Sequence, residues 1–92
     1  MKHLITDIAV RFPAEGELIV ELFTGKRSVG TVQFEAQPQR RADVPEEVDQ
    51  PFTLYFPTAM QGLVLDLLRG GEGIEFDREQ RELRIGHARG GR

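Results

Sequence analysis

Few side chains in this 92-residue sequence have the type and spacing needed to bind a metal or to act as nucleophiles. There is no cysteine, which excludes a disulfide, a thiolate nucleophile and a cysteine-bound metal. The two histidines are His3 and His87, whereas a metal site needs at least three ligands at defined spacing. His3 and Asp7 lie on one predicted strand about 13 Å apart, which is too far for chelation. We therefore expect no metal and no cofactor, with a His3–His87 pair as the one alternative.

The acidic side chains are numerous, but general acid–base catalysis also needs a pocket that shifts one pKa. Glu17 and Glu21 share a strand face, and further carboxylates crowd the last predicted hairpin, namely Glu75, Asp77, Glu79 and Glu82. This distribution is typical of solvated charges. The one serine, Ser28, stands in a predicted turn with no local base. The sequence therefore predicts a protein that is not an enzyme.

The basic side chains suggest a second kind of chemistry, the binding of nucleic acid. Residues 84–92 contain no acid, and arginine–glycine segments bind single strands through charge and guanidinium stacking. The net charge of -3 argues against a dedicated nucleic-acid protein. We therefore keep weak RNA or DNA binding as the alternative function, with a flexible basic tail at 87–92 and these candidate residues: Lys26, Arg27, Arg84, Arg89 and Arg92.

One segment resembles a known RNA-binding family. The sequence VELFTGKRSVGTVQF (20–34) is similar to the strand–turn–strand of Sm-like barrels, and LLRGGEGIEF (67–76) is similar to their second motif. The similarity covers about a quarter of the chain, and the helix predicted between the two motifs departs from the family's order. The resemblance implies only that RNA belongs among the alternative partners, and it assigns no residue a role.

The elements that must position these side chains are mainly strands. Apolar residues alternate with polar ones from Leu4 to Phe12, from Leu18 to Thr24 and again up to Ala36, which predicts a three-stranded antiparallel meander over 4–36. If Val10 lies opposite Val20, then Ile8 lies opposite Leu22 and Phe12 lies opposite Leu18. If Leu22 lies opposite Val32, then Val20 lies opposite Phe34. This register gathers the large apolar residues into one patch.

The second half of the chain predicts a loop, a strand, a helix and a hairpin. Residues 37–51 are rich in proline and charge, which predicts a long mobile loop, and 52–56 alternate as a fourth strand. Thr58 and Gln61 have the capping-box spacing, and Gly70 is placed to end the helix in a left-handed conformation. The predicted buried stripe of the helix comprises Met60, Leu63, Val64, Leu67 and Leu68. After the helix, residues 74–85 predict a last hairpin.

The predicted order is β-β-β-loop-β-α-β-β, a single α+β domain over 1–92. In this arrangement one helix packs on one face of an antiparallel sheet. No other helix is available to cover that face, so the helix stripe is expected to be core. Strand order stays open, because the last hairpin could join either edge of the meander.

The opposite side of the meander, here called the back face, is unusually apolar for a sheet face in water. It is predicted to carry Ile5, Ala9, Ile19, Phe23, Val29 and Tyr55 among charged residues. Such a patch can be covered by the 37–51 loop, by a second copy of the chain in a twofold dimer, or by another protein. We favour the homodimer, and Ile19 and Phe23 as its central contacts.

The composition agrees with a small interaction module. Charged residues make up 29% and hydrophobic residues 39%, an ordinary globular mixture, and no apolar run is long enough for a membrane helix. The opening MKHLITDIAV is too short and too polar for a signal peptide, so a cytoplasmic location is expected. The sequence thus predicts a non-enzymatic protein-interaction module that associates with itself through its back face.

Overall fold

The computed structural model describes residues 1–87, and only the backbone of His87. It contains eight strands and one α-helix, so the α+β class is confirmed. In chain order they are β1 (Lys2–Leu4), β2 (Asp7–Arg11), β3 (Ile19–Thr24), β4 (Arg27–Glu35), β5 (Ala42–Asp43), β6 (Phe52–Pro57), α1 (Gln61–Gly70), β7 (Gly71–Asp77) and β8 (Glu82–His87). A 3-10 turn, Thr58–Met60, precedes the helix.

The strands form two sheets. The larger has the order β2-β3-β4-β6-β5, and the smaller has the order β1-β7-β8. All pairings are antiparallel except that between β4 and β6. The prediction of a wholly antiparallel sheet is therefore wrong at that pair. Residues 36–51 form a connection long enough to return the chain to the same end of the sheet, which a parallel pair requires.

The predicted first strand changes sheets partway along. Pairing breaks at Ile5 and Thr6, so β1 belongs to the small sheet and β2 to the large one. The Ile5 amide donates to the Ile74 carbonyl at 2.8 Å, whereas the next amide, that of Thr6, donates to the Phe23 carbonyl at 2.8 Å. Ile5 is consequently buried in the core rather than on the back face. The alternation of apolar and polar residues did not reveal this change of sheet, because the alternation continues from β1 into β2.

The predicted register is confirmed between β2 and β3, where Val10 lies opposite Val20 and Ile8 opposite Leu22. It is wrong between β3 and β4, where Val20 lies opposite Val32. The tight turn there sets the pairing, because Thr24 faces Arg27 and Gly25 takes a φ of +63°.

A β-bulge follows the same turn. Leu22 lies opposite Gly30 and Phe23 opposite Ser28, which leaves Val29 as an extra residue on β4. The bulge turns the Val29 side chain into the core, where it is buried. Its predicted place on the back face is therefore wrong.

The core lies between the two sheets. Its most buried side chains come from both: Val20, Leu22, Val32, Phe34, Phe52 and Phe76. Phe52 of β6 stacks on Phe76 of β7 with 3.9 Å between ring centroids, and so joins the sheets. The Phe52 ring lies over Gly30, where an added Cβ would come within 2.5 Å of it. Gly30 is therefore required by the close approach of this ring.

The helix covers less of the core than expected. Val64 and Leu68, one turn apart, are its buried residues, while Met60 and Leu63 of the predicted stripe are exposed. The helix packs against β7 and β8. The small sheet covers much of the surface that the helix alone was expected to cover, so two of the predicted stripe residues are not needed.

Both ends of the helix differ from the prediction. The capping box does not form: Gln61 begins the helix after the 3-10 turn, and the buried Thr58 hydroxyl has no hydrogen-bond partner among the described residues. Gly70 lies within the helix, and Gly71 follows in an extended conformation with a φ of -82°. The chain thus passes from α1 straight into β7 without a left-handed residue.

Candidate interaction surface

The back face of the large sheet is directed away from the core and is built from rows of directly paired residues. One row crosses all five strands: Ala9, Glu21, Thr31, Thr53 and Asp43. A second row contains Arg11, Ile19, Gln33 and Tyr55, and a third contains Asp7, Phe23 and Ser28. The surface is therefore mixed, with hydroxyls and charges between the apolar side chains.

The centre of the back face is held by short polar contacts. The Ser28 hydroxyl donates to the Glu21 carboxylate at 3.1 Å, and the Thr31 and Thr53 hydroxyls are 3.5 Å apart. Arg11 lies 3.9 Å from the same Glu21 carboxylate across strands β2 and β3. These contacts satisfy polar groups within the sheet.

At the β6 end, the chain covers its own back face. The Arg40 guanidinium lies 4.7 Å above the Tyr55 ring and donates a 2.9 Å hydrogen bond to the Tyr55 hydroxyl. The Tyr55 amide donates to the Arg41 carbonyl at 2.9 Å. Tyr55 is left only 9% exposed. Tyr55 thus lies on the back face as predicted, but Arg40 of the 37–51 segment covers its ring and leaves little of it accessible to another chain.

At the β2 end, none of the described residues covers the back face. Ala9 is exposed, and Ile19 and Phe23 remain half-exposed. Phe12 is 78% exposed beside Ile19, because pairing between β2 and β3 stops at Arg11. These four side chains, Ala9, Phe12, Ile19 and Phe23, are here called the open patch.

Phe12 was missed by the prediction, which placed it opposite Leu18 on the core side. The neighbouring Pro13 is the signal that could have revealed it. Proline has no amide hydrogen for a sheet and restricts the preceding residue, so the chain tends to leave the sheet there. Of the predicted interface residues, Ala9, Ile19 and Phe23 are thus brought together, and Phe12 joins them.

The residues of the nucleic-acid alternative are distributed over different elements. Lys26 and Arg27 are exposed at the turn between β3 and β4, in the large sheet. Arg84 belongs to β8 in the small sheet, and Arg89 and Arg92 lie outside the described residues. This alternative stays a prediction, and the geometry of residues 1–87 adds no support to it.

Carboxylates surround Arg84. Its guanidinium lies 2.7 Å from Glu82, 3.4 Å from Asp77 and 3.9 Å from Glu75. The hydrogen bond to Glu82, with the charges of the other carboxylates, raises the pKa of the Arg84 guanidinium. A cation with these neighbours has less of its charge available for a phosphate.

A buried cluster of Arg78 and His3 lies away from the back face. The Arg78 guanidinium donates to the carbonyls of Pro45, Glu47 at 3.0 Å and Gln50 at 3.4 Å. It also lies 3.3 Å from His3 Nε2. Because arginine has only donors, Nε2 is the unprotonated acceptor nitrogen of His3. Arg78 thus fixes residues 45–50 of the predicted mobile loop, which also contains β5; the mobility of this segment stays a prediction.

The surroundings of His3 favour its neutral form over its charged form. Burial, followed by the charge of Arg78, lowers the pKa of the His3 imidazole below its ordinary value of 6.5. The side chain of His87, its predicted partner in a metal pair, lies outside the described residues. Within the described part of the chain, no group of three or more histidine, aspartate or glutamate side chains is arranged to hold a metal. His3 therefore acts here as a hydrogen-bond acceptor.

Asp77 organises the turn between β7 and β8. Its carboxylate accepts hydrogen bonds from the amides of Glu79 at 3.0 Å and Gln80 at 3.2 Å. The bond from Gln80 is the main reason that the pKa of the Asp77 carboxyl lies below its ordinary value. Asp77 was predicted to be a solvated charge, but it has a structural role in the turn.

Residues 1–87 contain no helix with the length and apolar character needed to span a bilayer. Comparison with known protein families, with curated proteins and with solved structures finds no match to this sequence.

Proposed function

We propose that this protein is a non-enzymatic interaction module that associates with a second copy of itself through the β2–β3 end of its back face. The observation that supports the proposal is the contrast between the two ends of that face. Tyr55 is covered by Arg40 of the same chain, whereas no described segment covers the open patch. An uncovered apolar patch rimmed by charge is typical of a contact surface.

A second copy suits this patch because the patch carries both signs of charge. Asp7 lies beside Phe23, and Arg11 lies beside Ile19, in the cross-strand pairs of β2 and β3. In a twofold dimer the same surface meets itself, so it must be complementary to itself. Charges of opposite sign at its two ends meet this requirement, whereas a patch with one sign of charge would repel its copy.

The test is the mass in solution of the wild type and of two variants, by light scattering after size exclusion. We expect a wild-type dimer that Ile19→Glu shifts toward monomer, because a carboxylate opposite Arg11 would take up the positive charge that Arg11 offers to the second copy. Leu63→Glu is the matched control, since Leu63 is an exposed apolar residue of α1, outside the back face.

A wild-type protein that is monomeric well above micromolar concentration would contradict self-association. A dimer that survives Ile19→Glu but is split by Leu63→Glu would move the contact to the helix. Thermal unfolding of both variants shows whether each remains folded, so that a loss of mass is not mistaken for a loss of structure.

A further inference from the structure

Strand β2 is an edge strand with one neighbour. Within the described part of the chain it pairs with β3 alone, so its backbone hydrogen-bonding groups on the other side are without a strand partner. A cleft lined by Asp7 and Ile8 on one side and by Leu68 and Ile74 on the other separates β2 from the helix and from β7. Ile8 and Val10, which point toward the core side, are therefore only half-buried. Such an edge is a template for another strand.

The sequence of β2 is complementary to itself when two copies run in opposite directions. Its residues are Asp-Ile-Ala-Val-Arg, with Ala9 at the centre. We propose that β2 pairs with β2 of a second copy in antiparallel register, with the two Ala9 residues opposite each other at the twofold axis. Asp7 of each copy then lies opposite Arg11 of the other, and Ile8 lies opposite Val10.

Other registers lose these matches. Sliding one strand by two residues places Asp7 opposite Ala9 or beyond Arg11, so both ion pairs disappear. A parallel, in-register pair places Asp7 opposite Asp7 and Arg11 opposite Arg11, which is repulsive. The register centred on Ala9 also keeps the core-side residues of both copies on one side. The two large sheets then form one continuous sheet of ten strands.

This inference rests on the proposed self-association and specifies its geometry. The dimer is built edge to edge, rather than by stacking one back face on another. The open patches of the two copies become neighbours across the new strand pair, because Ala9 belongs to both features. Ile19 and Phe23 lie one strand away from the contact, on β3.

The first experiment uses the absence of cysteine from the chain. An Ala9→Cys variant has a single thiol, and opposite residues of an antiparallel pair have Cα atoms about 4.5–5.5 Å apart, within the range of a disulfide. We expect mild oxidation to yield a disulfide-linked dimer in most of the protein. Thr31→Cys is the control, because Thr31 lies on the same face but two strands away from β2, on β4. In the proposed dimer the two cysteines at this position would be roughly 24 Å apart.

The second experiment tests the charge pairing. Asp7→Arg and Arg11→Asp should each be monomeric alone, because the opposing charges become alike. An equimolar mixture should form a heterodimer, because both cross-strand positions become complementary again. Size exclusion with light scattering, on folded proteins checked by thermal unfolding, measures the return of the dimer mass. If a charge variant fails to fold, the Ala9→Cys result alone decides.

The outcomes separate this inference from the proposed function. A dimeric wild type with no cross-link at Ala9→Cys and no heterodimer would overturn the edge pairing while leaving self-association intact. A cross-link at Thr31→Cys instead would indicate stacked back faces and also overturn it. A monomeric wild type would contradict the proposed function itself, whatever the geometry.

Discussion

The two edge strands of the large sheet, β5 and β2, differ in what the chain places against them. At the β5 edge, Arg40 covers Tyr55, and Arg78 fixes the segment that follows β5 through three carbonyls. At the β2 edge, a five-residue strand is followed by the exposed Phe12. None of the described residues covers this edge. Proteins normally protect sheet edges from other chains. The β5 end, with these contacts, is here called the closed edge, and the contrast supports the proposal that the β2 edge is open to a second copy.

The largest loss of stability should come from a substitution of Arg78, which holds the segment at the closed edge. We expect Arg78→Met to lower the free energy of unfolding by about 3 kcal/mol, because the carbonyls of Pro45, Glu47 and Gln50 all lose the charged donor that the buried Arg78 supplies. Denaturation by urea measures this loss. Arg81→Met, at an exposed arginine nearby, is the control and should change stability by less than about 0.5 kcal/mol. Equal effects of the two changes would show that Arg78 does not hold the segment.

The second-largest effect on stability should appear when the pH is lowered and His3 becomes protonated. The folded state lowers the pKa of His3, so the unfolded state binds more protons as the pH falls below 6.5. The free energy of unfolding should therefore fall with decreasing pH, by at most about 1.4 kcal/mol per pH unit, until the pH passes below the folded pKa.

His3→Gln is the matched variant for this titration, because glutamine keeps an acceptor for Arg78 and does not titrate. His87 is present in both proteins, so its contribution cancels in the difference between them. We expect the stability of the wild type relative to His3→Gln to be constant above pH 7 and to decline below pH 6.5. A difference that is independent of pH would show that His3 titrates alike in the folded and unfolded states.

The smallest effect should come from uncovering Tyr55. Arg40→Ala removes the hydrogen bond to the Tyr55 hydroxyl and the cation above the ring, so we expect a loss of about 1 kcal/mol in the free energy of unfolding. Arg41→Ala is the matched control, since Arg41 contributes its backbone carbonyl to this contact. Faster hydrogen exchange at the Tyr55 amide in Arg40→Ala alone would locate the change at the closed edge. Equal exchange in both variants would contradict the role given to Arg40.

The parts of the fold that sequence reasoning predicted are those with uninterrupted alternation. The pairing of Val10 with Val20 follows from period two on both strands, and it is confirmed. The burial of Ile5 and Val29 was not predicted, because a change of sheet and a bulge alter the direction of a side chain without altering the apolar pattern. The parallel pairing of β4 with β6 depends on the path of a long connection, which has no local signal.

Only part of the candidate surface could be predicted, namely the part on strands with uninterrupted alternation. Ala9, Ile19 and Phe23 lie on a regular strand pair, so their shared face could be read from spacing. The covering of Tyr55 and the anchoring by Arg78 depend on contacts with distant segments. Arg78 binds main-chain carbonyls, which every residue type provides, so no residue pattern at 45–50 indicates a partner.

The pairing of β1 with β7 has a consequence for the order of events during synthesis. His3 lies opposite Phe76, so β1, which is synthesised before the other described strands, has its partner near the end of the described residues. The small sheet cannot close until nearly all of these residues have been made, and closing so long a loop is slow in comparison with forming hairpins. Strands β2 to β4 can assemble first. During that interval the nascent chain exposes the β2 edge, for which we propose a second copy as the partner.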